Sequence, residues 1–234
     1  MLKTIFSIII WPIWFTVFLI CAALYLVLLT FLPPQKLHFI LRAMCRFLLL
    51  SAGQHFRLEG TVPTLENGPY LYLFNHESMF DVFMLPAGIS HYFSGIGANY
   101  QFSWPLWGFL LKRYGIAPIK RKDLNSAIDT LKNVEEAINN GISFMIAPEG
   151  TRTLTGALCP FKKGPFHLAK NTNITIIPVA LLGVFKAKSK LDWKIKPGIL
   201  TLRFGSPIKS TDYADLSVDK LRNLVRQKIV TLLK

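Results

Sequence analysis

From Thr4 to Gln35 the chain carries no charged side chain and no histidine, and Lys3 and Lys36 bound the run. A stretch of this length exceeds the ~20 apolar residues that cross the hydrocarbon core of a bilayer. A secretory signal has an apolar region of only roughly 7 to 15 residues before a small-residue cleavage site, so a retained hydrophobic helical membrane anchor is expected. Pro12 and the pair Pro33 and Pro34 punctuate it, leaving a straight span, a kinked one or a re-entrant one open. The following stretch, KLHFILRAMCRFLLLSAG, repeats His38, Arg42 and Arg46 every four residues, which places them on one helical face among Leu and Phe. It reads as an interfacial helix; the alternative is a domain helix with a snorkelling charged stripe. Residues 1–52 are therefore expected to be membrane-anchoring helices, transmembrane or re-entrant plus interfacial, and residues 53–234 a single further domain.

The 27 Lys+Arg against 13 Asp+Glu leave a formal charge of +14, which favours anionic partners: phosphates, nucleic acid or an acidic membrane surface. Charge alone does not choose. The 51% hydrophobic content and mean hydropathy of +0.37, concentrated in the first fifty residues, shift the choice to membrane lipids, and no nucleic acid is expected. Cys21, Cys45 and Cys159 are far apart with no CxxC pair, which excludes a disulfide framework or a cysteine zinc site and suits a reducing, cytoplasm-facing protein.

After Gly53, HFRLEG alternates like a strand, PTLENGP reads as a turn and YLYLF as a short buried strand. Further strands are expected over Tyr114 to Ile119, Ile142 to Ala147, Ile174 to Leu182 and Ile199 to Phe204. Leu124, Ile128, Leu131, Val134 and Ile138 recur at helical spacing before Gly141, and a basic amphipathic helix is expected from about Ser217 to Leu233. Alternating strands and helices predict an α/β domain, a mostly parallel or mixed sheet flanked by helices. GxxxxGK[ST], GxGxxG and GxSxG are all missing, so nucleotide hydrolysis, dinucleotide binding and an α/β-hydrolase nucleophile lack their signatures.

In such a sheet functional groups collect beyond strand carboxyl ends. Asn75, His76 and Asp81 follow YLYLF, Lys120 and Arg121 follow GIAPI, and Glu149, Thr151 and Arg152 follow ISFMIAP; Lys162 and Lys163 occupy a later turn. On a regular helix His76 and Asp81 would point about 140° apart. If the chain turns at His76 and a helix starts near Glu77 or Ser78, the aspartate can reach back to the imidazole and leave the other ring nitrogen free as a general base. The spacing by itself also admits a helix-start brace, a metal half-site of His76, Glu77 and Asp81, or Ser78 as nucleophile.

NHESMFD, then GIAPIKR, then APEGTRT with PFKKG, then IIPVAL resemble, in order and spacing, the four blocks of the glycerolipid acyltransferase family of the 1-acylglycerol-3-phosphate acyltransferase type, over about Gly53 to Ser206. The resemblance implies that His76 of this HxxxxD motif deprotonates an acceptor hydroxyl, which attacks an acyl thioester, while Asp81 orients the histidine. It implies that Arg121, Glu149, Gly150, Thr151 and Arg152 lie on the acceptor side and that Pro178 is structural; Lys162 and Lys163 supply further cations for an acceptor phosphate. The acyl donor would be acyl-CoA or acyl carrier protein, with no metal and no organic cofactor. Phe102, Trp104 and Trp107 are candidates for an acyl channel or for core. Two positions depart from the family pattern. Ala147 replaces a common phenylalanine, and Ala98 and Asn99 stand where a lysine is frequent, so Lys112, Lys120 or Lys122 substitutes or the acceptor differs. The expectation is a membrane-associated O-acyltransferase of phospholipid biosynthesis, its active site facing the cytoplasm, converting 1-acylglycerol-3-phosphate to phosphatidic acid. The rivals are an enzyme for another lysolipid or amino-acid-derived lipid acceptor, and a non-catalytic anionic-lipid-binding membrane protein.

Overall fold

The computed structural model describes residues 2–121 and 123–234; Lys122 lies outside them. Helix α1 covers Leu2–Phe31, with Pro12 inside it, and α2 covers Pro34–Ser51. The proline pair separates two helices rather than bending one. Pro33 is extended and caps α2, while Pro34 opens it, where a missing N–H would be unpaired anyway. Lys3–Phe31 is long and apolar enough to cross a membrane, with a mean hydropathy of 2.5 and 22% of its most apolar window buried. That burial is one-sided. Ser7, Trp14, Ala22, Tyr25 and Leu29 are buried, and at ~100° per residue they fall within about 40° of one line along the helix. Ile5, Ile9, Ile20 and Val27, on the far side, are exposed. The docked stripe runs nearly the whole length of α1, so the helix lies along the rest of the molecule.

Among the described residues seven strands form one sheet: β1 (Gln54–Glu59), β2 (Tyr70–Phe74), β3 (Phe93–Ala98), β4 (Ala117–Ile119), β5 (Ser143–Ile146), β6 (Thr175–Leu182) and β7 (Gly198–Phe204), in the order β1-β7-β6-β2-β5-β3-β4. All neighbours are parallel except β6 and β7. Strands β2 to β6 therefore end at one edge. The sheet is mixed and helix-flanked, as the alternating pattern predicts. One face packs on α1, α2 and α3 (Asp81–Gly88), through Trp14, Leu49, Tyr72, Met84 and Leu202. The other packs on α5 (Leu124–Asn139), α6 (Gly164–Thr172) and α9 (Val218–Leu232), through Leu71, Val134, Phe166, Val225 and Ile229.

Three expectations change. The charged stripe of α2 turns to α3, from buried His38 through half-buried Arg42 to exposed Arg46: Arg46 Nε donates to the Ala87 carbonyl at 2.9 Å, Arg42 Nε to the same oxygen at 3.4 Å, and His38 Nε2 sits 3.1 Å from the Ile89 carbonyl. These groups meet the carboxyl end of α3, whose terminal carbonyls lack helical partners and carry the negative end of its dipole. The stripe therefore secures α3, and Phe39, Phe47 and Leu50 are the exposed apolar residues of α2. The strand expected from Tyr114 is shorter, because Tyr114 closes α4 (Trp107–Tyr114) and left-handed Gly115 (φ +96) ends that helix. Strand β3 escaped the pattern, since FSGIGA has two glycines and low strand propensity. At Gly95 a Cβ would come within 2.9 Å of Met145, so this strand requires the missing side chain.

Candidate active site

The backbone turns immediately after β2. His76 Nδ1 lies 2.7 Å from Asp81 Oδ2, and that oxygen also accepts the backbone N–H groups of Glu77 (2.8 Å) and Ser78 (3.0 Å). Asp81 is the first residue of α3, where negative charge is favoured. The helix thus starts at the aspartate itself, and the loop before it folds back over the carboxylate. Asp81 is fully buried, whereas the His76 side chain is 17% exposed. An ionised Asp81 holds the neutral ring with its proton on Nδ1 and leaves Nε2 as an unprotonated acceptor. Among the described residues Nε2 has no hydrogen-bond partner.

Two more side chains brace the loop. Asn75, also buried, continues the β2–β6 pairing by its side chain: Oδ1 accepts the Leu181 N–H at 2.8 Å and Nδ2 donates to the Leu181 carbonyl at 3.0 Å. Glu77 accepts from Asn75 Nδ2 (2.9 Å) and from the backbone N–H of Phe185 (3.1 Å) in the short helix α7 (Val184–Ala187). Glu77 therefore points away from the His76–Asp81 pair rather than completing a metal half-site. Burial pushes its carboxyl up to about 7, and nearby Asp81 and Glu149 act in the same direction. Ser78 is buried, and its hydroxyl donates to the Lys188 carbonyl at 2.6 Å, an unsuitable state for a nucleophile.

Glu149 is 4% exposed, and both its oxygens are occupied, Oε1 by the His76 N–H and Oε2 by the Cys159 N–H, each at 2.7 Å. Burial raises its pKa while these two backbone donors oppose the rise. Together with the Thr153 N–H to His76 carbonyl bond of 2.9 Å, Glu149 joins the loop after β5 to the loop after β2. Gly150 takes a left-handed φ of +70, and a Cβ there would meet Lys162 Cε at 3.0 Å, so the lysine stem lies across the glycine.

A cavity of about 1590 Å³ opens beside the pair, larger than a typical small-ligand pocket of ~300–1,000 Å³. His76, Asp81, Arg121, Gly150, Arg152, Lys162 and Lys163 line it, and Glu149 and Thr151 do not. Desolvation lowers the Arg121 pKa, Tyr100 opposes that shift and the Arg152 charge adds to it. Lys163 also donates to Asp219 Oδ2 of α9 at 2.9 Å, on the exposed surface. Most of the remaining wall is apolar, although Gln101, Asp123, Lys132, Glu135, His167 and Asn171 also line it. It includes Trp104 and Trp107, as the sequence allows, while Phe102 lines a separate small pocket. Sequence reasoning did not anticipate the contribution of α1, where Trp14, Phe18, Cys21 and Tyr25 join the wall. The periodicity of the docked stripe carried that signal, but an all-apolar helix conceals which face is docked.

The cavity is thus amphipathic, with a histidine–carboxylate pair between a group of cations and an apolar region reaching the N-terminal helix. A 1-acyl-sn-glycerol-3-phosphate acyltransferase of Cocos nucifera is 32% identical over 175 residues, 74% of this chain and 56% of that one. A protein of the same description from Saccharomyces cerevisiae is 29% identical over 218 residues, 89% of this chain and 70% of that one. The chain spans about half the length of the plant relatives it matches. The crystal structure of the 1-acyl-sn-glycerophosphate (LPA) acyltransferase PlsC from Thermotoga maritima shares the fold with a TM-score of 0.84 at 17% identity, covering 97% of this chain and 94% of that one. The acyltransferase family model matches residues 55–182, from β1 through β6. That match takes in more than half of the sequence and both loops that meet at His76, and on it the chain belongs to the acyltransferase family.

Proposed function

We propose that this protein transfers a fatty acyl group from a thioester, on coenzyme A or acyl carrier protein, to the free hydroxyl of 1-acylglycerol-3-phosphate, giving phosphatidic acid. The observation that carries the reading is the His76–Asp81 pair, 2.7 Å apart, in a wall shared by cations and apolar side chains. His76 Nε2 takes the proton of the acceptor hydroxyl as its oxygen attacks the thioester carbonyl. Asp81 holds the tautomer and stabilises the imidazolium that forms. When the tetrahedral intermediate collapses, the C–S bond breaks and the thiolate leaves with the proton returned by His76. A thioester is already activated, so these residues have to position a base and a hydroxyl rather than form an acyl-enzyme. Arg121, Arg152 and Lys162 hold the acceptor phosphate through charge-assisted bonds, and the apolar wall takes an acyl chain. Glu149 and Asn75 act on the same reaction by fixing the loop that carries His76. The acceptor named for the similar plant and yeast proteins supports lysophosphatidate over another lysolipid.

The lipid acceptor and product both reside in a bilayer, and the exposed apolar faces of α1 and α2 supply the means to reach it. Because α1 is docked along its length, a helix pair lying within one leaflet, with the basic domain on the cytoplasmic side, fits better than a perpendicular span. The test is acyl transfer by the detergent-purified chain, following thiol release from acyl-CoA and lipid product with lysophosphatidate, beside folded His76→Ala. Product from the wild type alone supports the reaction and the base. Silence with both acyl-CoA and acyl carrier protein, across a panel of lysolipids, rejects it.

A further inference from the structure

The segment that starts at the end of α7 reads KAKSKLDWKIK over residues 186–196: five lysines and one aspartate, with three large apolar residues, Leu191, Trp193 and Ile195, between them. Leu191 is 77% exposed and Trp193 48% exposed, which a loop in water has no reason to present. The loop is nevertheless well anchored. Lys196 N donates to the Ala187 carbonyl at 2.9 Å and closes its ends. Trp11 Nε1 donates to the Trp193 carbonyl at 2.9 Å, and the Ser7 hydroxyl exchanges hydrogen bonds with the Ile195 N–H (3.0 Å) and carbonyl (3.2 Å). These bonds attach the loop to the first third of α1, whose outward residues Ile5, Ile8 and Ile9 are exposed. The loop's sole acid is engaged internally, with Asp192 accepting from the Lys194 N–H at 3.0 Å and pairing with Lys196 at 3.2 Å. Among the described residues exposed Lys186 and Lys190 and half-buried Lys194 form no salt bridge.

We propose that this loop is a second membrane contact, a docking surface for anionic phospholipid in which Leu191 and Trp193 enter the headgroup region and Lys186, Lys190 and Lys194 meet lipid phosphates. Lysines beside a tryptophan suit the bilayer interface, where the amphipathic ring is at home and basic groups are drawn to a negative leaflet. An acidic protein would satisfy the lysines, but it would leave unexplained why the apolar pair is tied to a helix whose own outer face is apolar. The Ser78 to Lys188 bond joins the same loop to the turn that carries His76, so docking there sets the height of the site above the lipid. The proposal rests on α1 being membrane-embedded and is independent of the acyl-transfer reading.

The test uses the full chain in nanodiscs of phosphatidylcholine, alone or mixed with phosphatidylglycerol, with acyl chains brominated near the headgroup. Trp193 is isolated as the difference between wild type and Trp193→Phe, and circular dichroism confirms the fold of every variant. The expected result is at least twofold greater quenching of Trp193 in the anionic discs, lost in Lys186→Gln/Lys190→Gln/Lys194→Gln. Equal quenching in both discs, or quenching indifferent to the three lysines, would overturn the proposal by showing contact imposed by α1 alone. No quenching in either disc would place the loop in water. Lysine-dependent binding of acyl carrier protein without any preference for anionic discs would assign the loop to a protein partner and equally overturn it. No outcome depends on turnover, so failure here leaves the acyl-transfer test untouched.

Discussion

The two ends of the polar wall are held in different ways. Around His76 the groups that fix the geometry are buried and bonded to the backbone: Asp81 accepts three bonds on one oxygen, Glu149 accepts two across its carboxylate, and Asn75 accepts one from and donates one to Leu181 of a neighbouring strand. Around Arg121, Arg152 and Lys162 no salt bridge is formed among the described residues, and Arg121 and Lys162 are exposed. Proton transfer requires groups preset to within a fraction of an ångström, whereas an anion brings its own charge to order flexible cations. The contrast implies that the buried end governs turnover and the cationic end governs acceptor binding.

The largest effect should come from Asp81→Asn. The amide keeps the cap of the turn but loses the charge that stabilises the imidazolium, so kcat should fall by about 10²–10⁴-fold with KM changed only a few-fold. Steady-state kinetics on protein with a wild-type unfolding midpoint would check it; a rise in KM alone would break the contrast. At the other end, Arg152→Ala removes about 1.5–3 kcal/mol of charge-assisted bonding. The acceptor KM should rise roughly 10- to 100-fold for lysophosphatidate, with little change for monoacylglycerol, which has no phosphate.

A third effect tests the burial of the locked end. Glu77 has an ordinary pKa of 4.5 and a folded value of about 7. The native state therefore holds a proton that the unfolded chain releases, and this contribution to stability is present below 4.5, declines between 4.5 and 7, and is gone above 7. Glu77→Gln does not titrate. Its stability relative to wild type should improve by about 1–3 kcal/mol as pH rises from 5 to 8, as read from denaturant midpoints; a pH-independent difference would mean that Glu77 is ionised throughout. The smallest effect is expected at Lys163. Its partner Asp219 is half exposed, and such surface pairs contribute about 0–1 kcal/mol. Lys163→Ala should shift the acceptor KM less than about threefold, and a larger shift would move this residue into the cationic group.

Read by itself, the sequence determined the class of fold, the long uncharged N-terminal helix, five of the strands to within one residue and the loops where polar groups gather. Each of these is written in local periodicity or in residues adjacent along the chain. Alternation over HFRLEG, the apolar run YLYLF and the apolar spacing of Leu131, Val134 and Ile138 need no partner to be legible. What those polar groups touch is non-local, and only the tertiary structure decided it. Glu149 meets the His76 N–H across 73 positions of sequence, the His38–Arg46 stripe turns to α3 instead of lipid, and α1 yields one face of a uniformly apolar helix to the cavity. Strand β3 belongs with these, because Gly95 makes sense only against Met145 of the neighbouring strand and Gly97 only against Ile116 and Phe102. A residue's type announces that it must find a partner; which one it finds depends on the crossovers of the sheet, and those are fixed by packing over the whole chain.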